Sequence, residues 1–216
     1  PHPQLWEKIQ QLQEVIWPKA AKMCDGFTRE DIPEEEWKKA FEMTFYPASR
    51  CHFTLFTANL TAKERLEKAK DGLSEWFDKD VPEILAGSSE LEIELTGLNS
   101  FGPDVLYLQP DKQSAERMKE LYTSLRERFR QKNIQDQFRF RPHATIMKKS
   151  QLKGRRLADP SHGRAVSKTL RFPKEAWQEF NTTVGMYSAN DVQLLDMRRP
   201  IDGYFEVEWE QKFREG

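Results

Sequence analysis

Several features are scarce in this chain, and each scarcity excludes a class of protein. Two cysteines, Cys24 and Cys51, are too few for a disulfide framework. Both are interpreted as reduced thiols, and an intracellular location, cytoplasmic or nuclear, is predicted. No apolar run approaches the roughly 20 residues of a membrane-spanning helix, so no membrane partner is expected.

Net charge is also nearly absent. Charged residues make up 32% of the chain, but they leave a formal net charge of only -1. No global field therefore attracts nucleic acid, and any charge that binds phosphate has to be local. No stable DNA complex is expected.

The length of the chain limits its organisation. A chain of 216 residues suits one domain or two closely packed lobes, and we treat residues 1–216 as a single domain. Because the sequence starts at Pro1 without Met, we expect it to be a fragment of a longer protein.

Histidine is scarce too, with four in the chain, yet two of them share one short pattern. His52 precedes Thr54 by two residues in the segment Cys51–Thr57, which is interpreted as a strand. Side chains two apart on a strand share a face, so these two point one way, while Phe53 and Leu55 point the other. Chance yields roughly 0.1 such His-x-Thr-apolar frames in a chain of this composition.

The second frame lies in the segment Phe138–Lys148, also predicted to be a strand. His143, Thr145 and Met147 are expected on one face, and Ala144 and Ile146 on the other. Pro142 cannot donate a hydrogen bond to a sheet, so it belongs at the start of the strand or on its edge.

Two imidazoles that face one pocket can divide acid–base work. One removes a proton from an attacking oxygen and the other protonates the leaving oxygen, because imidazole titrates near neutral pH. The hydroxyls of Thr54 and Thr145 can then donate to a phosphoryl group between the rings, and no metal or other cofactor is needed. Lys148 shares the face of His143 only if the strand continues with a bulge; otherwise it adds charge from the strand end.

Simpler interpretations remain open. A single histidine on a strand is more often structural than catalytic, and threonine is common in strands for its own reasons. Cys51 lies on the opposite face from His52 and is a poor partner for it. A zinc site usually needs three or four ligands, which two separated histidines do not supply. The basic loop over residues 148–164 is equally well explained as solvated surface.

The rest of the chain predicts an α+β fold with antiparallel sheets. Helices are predicted over residues 4–23, from Asp31, after a capping box at Thr61–Glu64, along residues 118–129 and over 173–180. Strands are predicted at 91–95, at 105–108 after a turn over 99–104, and in a final hairpin at 192–197 and 204–209.

The paired His-x-Thr frames resemble the signature of the 2H phosphoesterase superfamily. The second frame, Phe140–Lys148, is similar to the eukaryotic branch that includes the central domain of A-kinase anchoring protein 7 and the C-terminal domain of leukocyte receptor cluster member 9. Residues 97–102 and the hairpin at Asp202–Tyr204 also match that branch. The resemblance runs from about residue 50 to 210.

The resemblance implies a bilobal, pseudo-twofold α+β fold, with two antiparallel sheets lining a central cleft and helices outside. One lobe would carry the first motif, at about 45–60, and the other the second, at about 138–150. It implies His52 and His143 as the catalytic pair and Thr54 and Thr145 as phosphate-binding hydroxyls. It also implies metal-independent cleavage of RNA-type phosphodiesters, 2′,5′-oligoadenylates or 2′,3′-cyclic phosphates, in a nucleotide or short RNA.

Two other functions stay open. The same cleft could bind a nucleoside monophosphate or an RNA end without turnover, or the basic loop could serve an RNA-binding or ligase-like role. For the phosphodiesterase, Phe101 and Phe56 are candidate surfaces on which a base stacks.

Overall fold

The computed structural model describes residues 7–16, 33–46, 51–86, 88, 90–152, 172, 174–178, 184–201 and 204–213. The helices are α1 (7–16), α2 (Glu34–Glu42), α3 (Lys63–Lys79), α4 (Val81–Ile84), α5 (Lys112–Gln131) and α6 (Lys174–Trp177), with a 3-10 turn at Lys149–Leu152. The strands are β1 (Leu91–Phe101), β2 (Val105–Pro110), β3 (Ala144–Lys148), β4 (Gly185–Ala189), β5 (Asp191–Ile201) and β6 (Tyr204–Lys212).

The strands form two sheets. Four of them make one sheet in the order β3-β2-β1-β4, in which β2 and β3 are antiparallel, and β5 pairs with β6 in a separate antiparallel sheet. The predicted α+β class with antiparallel sheets is therefore confirmed. Over the residues described, every helix is too short or too polar to span a bilayer.

The chain divides into two compact units. Unit 1 comprises Pro1–His52, Leu95–Gln109 and His143–Gly185, and unit 2 comprises Phe53–Glu94, Pro110–Pro142 and Met186–Gly216. Both histidines of the His-x-Thr frames belong to unit 1, whereas Thr54 and Phe56 belong to unit 2. The assignment of one His-x-Thr motif to each lobe stays a prediction.

The core of unit 1 forms where β1, β2 and β3 turn one face inward. Alternate residues Leu106 and Leu108 are fully buried, as a half-buried strand requires. Phe41 of α2 is also fully buried and packs edge-on against Phe172, with 6.1 Å between ring centroids. The other buried apolar residues described in this unit are Ile9, Ile16, Ala40, Cys51, Leu95, Leu98, Ala144, Ile146, Met147, Trp177 and Val184.

The core of unit 2 depends on packing between α3 and α5. Trp76 is fully buried, and its indole nitrogen donates to Ser124 Oγ at 2.7 Å, so the polar edge of the ring is satisfied. The predicted apolar stripe of α5 is confirmed, since Met118, Leu121, Leu125 and Phe129 are all buried.

The start of α3 corrects the prediction of a capping box at Thr61–Glu64. The helix begins at Lys63, its N-cap is Ala62, and no side chain caps it. Thr61 lies one residue too early, and its hydroxyl donates to Asn59 Oδ1 at 3.0 Å. A capping box needs the threonine at the N-cap position itself, and here the N-cap is the residue that follows Thr61.

Other boundaries shift as well. β1 continues to Phe101, which shortens the predicted turn to 102–104, where Gly102 has a φ of +58°. β4 was not predicted. α2 begins at Glu34 after Pro33, whereas Asp31 and the parts of the predicted first helix outside 7–16 lie beyond the described residues. The final hairpin is confirmed, with longer strands than predicted.

Asp111 is the N-cap of α5, and its carboxylate accepts hydrogen bonds from the backbone nitrogens of Ser114 at 2.8 Å and Gln113 at 3.2 Å. The hydrogen bonding from Ser114 lowers the pKa of this carboxyl below its usual value. Asp111→Ala should therefore cost about 1 kcal/mol of unfolding free energy at pH 7, measured by urea titration.

Asp111→Asn is the matched control, because asparagine caps about as well but does not titrate. A lowered folded-state pKa means that the contribution of Asp111 is present above its unfolded pKa of about 4 and is lost as the pH falls through the folded value. The Asn variant should match the wild type at pH 7 and show less loss of stability as the pH falls below about 4. Equal acid sensitivity in both proteins would contradict this role.

Candidate active site

The second His-x-Thr frame lies at the edge of the four-stranded sheet. His143 directly precedes β3, which starts at Ala144, so the strand is shorter than the predicted Phe138–Lys148. Pro142 is just before the strand, as its missing N–H group requires. His143 and Thr145 are half-buried, while Ala144 between them is 3% exposed, so the predicted alternation is confirmed for the first three residues.

The register between β2 and β3 then shifts by one residue. Tyr107 lies opposite Thr145, but the preceding residue, Leu106, lies opposite Met147, so Ile146 has no partner in β2. This is a β-bulge, in which two residues of one strand oppose one of the other.

The bulge changes which residues share a face. Residues directly opposite each other in an antiparallel pair point the same way, so Met147 joins fully buried Leu106 in the core. The prediction that Met147 shares the face of His143 and Thr145 is therefore wrong. Lys148 instead returns to the face of Thr145, and it is exposed. The predicted condition for Lys148, a continuing strand with a bulge, is met.

The outer edge of β3 pairs with the segment after α2, through an antiparallel bridge between Phe45 and Met147. The carbonyl of Ile146 accepts hydrogen bonds from Tyr46 N at 2.8 Å and from Gln13 Nε2 at 3.0 Å. Lys148 N also donates to Thr44 O at 2.8 Å. The segment after α2 thus runs along the outer edge of β3 and satisfies backbone groups on the side of the strand away from β2, since a buried carbonyl without a partner is costly.

The first His-x-Thr frame does not form the predicted strand. Within residues 51–61, only Phe53 makes an isolated bridge, and the rest has no regular structure. His52 is nevertheless placed by its surroundings. Its neighbour Cys51 donates from Sγ to Thr145 O at 3.6 Å, and the ring of Tyr46 lies 6.2 Å from that of His52. The first contact reaches the backbone of β3, and the second reaches a side chain of the segment beside it.

Two aromatic rings surround His143. Phe101, at the end of β1, meets the imidazole edge-on with 4.7 Å between centroids, and Tyr107 lies at 5.3 Å. Phe101 and Tyr107 also contact each other at 4.3 Å. Phe101 was a candidate from the sequence, whereas Tyr107 was missed. Strand alternation indicates that Tyr107 points to the opposite face of β2 from Leu106. It does not show that Tyr107 lies beside His143, which follows from the register of β2 against β3.

The remaining candidates lie in unit 2. Thr54 is exposed, and its role in binding phosphate stays a prediction. Phe56 packs edge-on against Phe129 at 4.8 Å and lies 6.4 Å from Tyr122, so its ring contributes to the packing of α5. Its use as a surface for a base also stays a prediction.

The described ranges contain no cluster of three or more His, Cys, Asp or Glu side chains with the geometry of a metal site. The basic loop is described only as far as residue 152, where Lys149 contacts Asp104 at 3.5 Å. Its remaining basic residues lie outside the described part of the chain, and their role is not tested.

A family model described as the AKAP7 2′5′ RNA ligase-like domain matches residues 2–213. The chain therefore belongs to that family, within the 2H phosphoesterase superfamily.

Comparison with solved structures finds a chain titled "Crystal structure of phosphoesterase", with a TM-score of 0.41 and 14% sequence identity. The match covers 86% of this chain and 95% of that chain. No curated protein matches this sequence.

Cys51 provides a test of the packing beside His52. The residue is 8% exposed, and burial raises the pKa of its thiol to about 12. Because only the thiolate is nucleophilic, a Cys24→Ser variant should react with iodoacetamide at pH 8 on the order of 10³-fold more slowly when folded than in guanidinium chloride. The rate is followed by mass spectrometry. A folded protein that reacts as fast as the unfolded one would contradict the contact between Cys51 and Thr145.

Proposed function

We propose that this protein is a phosphodiesterase for 2′-linked RNA-type phosphodiesters, with His52 and His143 as its general acid and base. The substrates are 2′,5′-oligoadenylates or 2′,3′-cyclic phosphates within a nucleotide or short RNA. The observation that carries the proposal is the shared face of β3, on which Thr145 and Lys148 follow His143 because of the bulge at Ile146. Family membership supports phosphoesterase chemistry.

The proposed reaction is an in-line displacement at phosphorus. One imidazole accepts the proton of the attacking water or hydroxyl as its oxygen forms a bond to phosphorus. The other donates a proton to the leaving oxygen as its bond to phosphorus breaks, so protons and charge balance over the step. Such assistance is worth about 10²–10⁴-fold per group, and it requires no metal.

The side chains on the face of β3 suit the charge that develops in this step. The hydroxyl of Thr145 can donate to a non-bridging oxygen, and the ammonium group of Lys148 balances the negative phosphoryl group. A 2′-oxygen as attacker, leaving group or recognition handle would explain selectivity for 2′-linked RNA, since DNA lacks it.

The aromatic rings around His143 suit a positioning role. Edge-on contacts with Phe101 and Tyr107 limit rotation of the imidazole, and a general acid or base must be held within hydrogen-bond reach of its proton. Either ring could also stack on a nucleobase.

The same aromatic pair favours a second candidate, a nucleotide-binding module without turnover. Phe101 and Tyr107, together with Lys148, offer a base-stacking surface and a charge for a phosphate, which suffice for binding a nucleoside monophosphate. Calorimetry that shows tight AMP or CMP binding, with no product by chromatography from any diester offered, would establish this alternative.

Replacement of either histidine tests the enzymatic proposal. With 2′,5′-oligoadenylate and, separately, a 2′,3′-cyclic nucleotide as substrate and no added metal, His52→Ala and His143→Ala should each lower kcat at least 100-fold, because each removes one proton transfer. Product is measured by chromatography. Activity that persists in both variants would remove the assignment, and circular dichroism checks that each variant folds.

The hydroxyl of Thr145 is tested by Thr145→Val, which keeps the shape of the side chain and its β-branching. Loss of a hydrogen bond to a charged phosphoryl group should lower kcat/KM about tenfold or more. Thr123→Val, which removes an exposed hydroxyl from α5, is the matched control and should leave the rate unchanged. Equal rates in the two variants would exclude contact between Thr145 and the phosphoryl group.

A further inference from the structure

A groove in unit 2 has no role in the chemistry described above. It lies between the exposed side of α5 and the segment that follows this helix, and its volume is about 630 Å³. We call it the α5 groove and define it by six of its lining residues, Lys112, Lys119, Arg126, Tyr122, Phe138 and Phe140.

The basic residues of the α5 groove form a row. Lys112, Lys119 and Arg126 are spaced by seven residues, which is close to two helical turns, so they lie along one side of α5 over about 21 Å. All three are exposed, and Arg139 adds a fourth exposed positive charge from the opposite wall. Among the described residues, none of the four has an ion pair within 4.0 Å.

The aromatic residues of the groove present flat surfaces. Tyr122 and Phe140 stack face to face, with 4.4 Å between centroids and 7° between planes. Phe138 is 69% exposed, which is unusual for so large an apolar side chain. It is held in place because its backbone nitrogen donates to Asp136 Oδ1 at 3.1 Å.

The two acidic residues of the groove leave this surface predominantly positive. Asp136 is occupied within the wall, because its carboxylate accepts the hydrogen bond from Phe138 N. Burial, and next the nearby Asp136, raise the pKa of the Tyr122 phenol. Glu116 lies on α5 between Lys112 and Lys119. Four positive charges therefore face two negative ones, in a chain whose overall charge is close to zero.

We infer that the α5 groove binds a single-stranded RNA segment, with phosphates along the basic row and a base on Phe138. An extended row of charges beside aromatic faces is the combination that binds single strands without regard to sequence. A single phosphate fits this groove less well, because it needs hydrogen-bond donors that converge on one point. An acidic peptide would use the basic row but would have no specific contact with the exposed ring of Phe138. The inference rests on the proposed function, because it makes the substrate an RNA longer than the reacting linkage.

Binding is tested with fluorescein-labelled octauridylate by fluorescence anisotropy at several salt concentrations, using the intact protein. Lys119→Ala/Arg126→Ala should weaken binding about 10- to 30-fold at 0.1 M salt and reduce the salt slope by about 1.4, since two phosphate contacts are lost. Lys68→Ala/Arg130→Ala is the matched control. It removes the same charge from exposed residues of unit 2 that pair with Glu64 and Glu127, outside the groove, and should change affinity less than threefold.

The aromatic contact is tested separately. Phe138→Ala and Phe138→Leu should each weaken octauridylate binding fivefold or more, whereas Phe138→Trp should retain it, because only the flat ring stacks on a base. Since Phe138 is exposed, none of these changes should lower thermal stability appreciably.

Three outcomes would overturn the inference: octauridylate does not bind, the groove and control variants weaken binding equally, or octaglutamate binds as tightly as RNA with the same dependence on Phe138. Turnover of a 2′,3′-cyclic mononucleotide is measured in parallel. Groove variants should leave its kcat unchanged. If the protein binds RNA through the groove but turns over no substrate, the proposed enzymatic function is wrong and the inferred RNA-binding site is still supported.

Discussion

The bulge at Ile146 is the feature on which the candidate active site depends. Without it, strict alternation would point Met147 outward with Thr145 and turn Lys148 into the core. With it, Met147 packs against the core face of β2, and Lys148 returns to the outer face. A buried backbone carbonyl without a partner is unfavourable, so the hydrogen bonds that Ile146 O accepts from Tyr46 N and Gln13 Nε2 stabilise the strand at the bulge.

The same hydrogen bonds connect the two halves of the motif. The segment that satisfies β3 on its outer edge ends at Tyr46, whose ring lies beside His52, and Cys51 contacts Thr145 on the same strand. His52 does not lie in a strand. The ring contact with Tyr46 and the contact of Cys51 with Thr145 position it instead. This explains how a histidine in irregular backbone can belong to the same compact unit as His143.

Helix α5 shows how one element serves two purposes. One side carries Leu121 and Leu125 into the core of unit 2, and the neighbouring side carries Tyr122 and the basic row into the groove. Helical periodicity separates the two, because a shift of about 100° per residue gives each side its own set of positions. The rigid helix therefore holds charges at regular spacing, which a loop would not do.

Much of the fold was accessible from sequence pattern. The apolar spacing of Met118 to Phe129 predicted α5, and the alternation near Leu91 and Val105 predicted β1 and β2. The capping box at Thr61 and the strand around His52 were wrong for a common reason. A pattern states what a segment is suited to, but whether a residue is the N-cap, or whether a strand finds an edge to pair with, depends on neighbours elsewhere in the chain.

Helical and strand periodicity predicted the α+β class, and the repeated His-x-Thr frame singled out the two histidines and carried the resemblance to the 2H family. The fold alone shows that Lys148 shares a face with Thr145, that Tyr107 lies beside His143, and that a basic row meets Phe138. Each of these depends on the register or packing of segments distant in the chain, which local spacing does not encode.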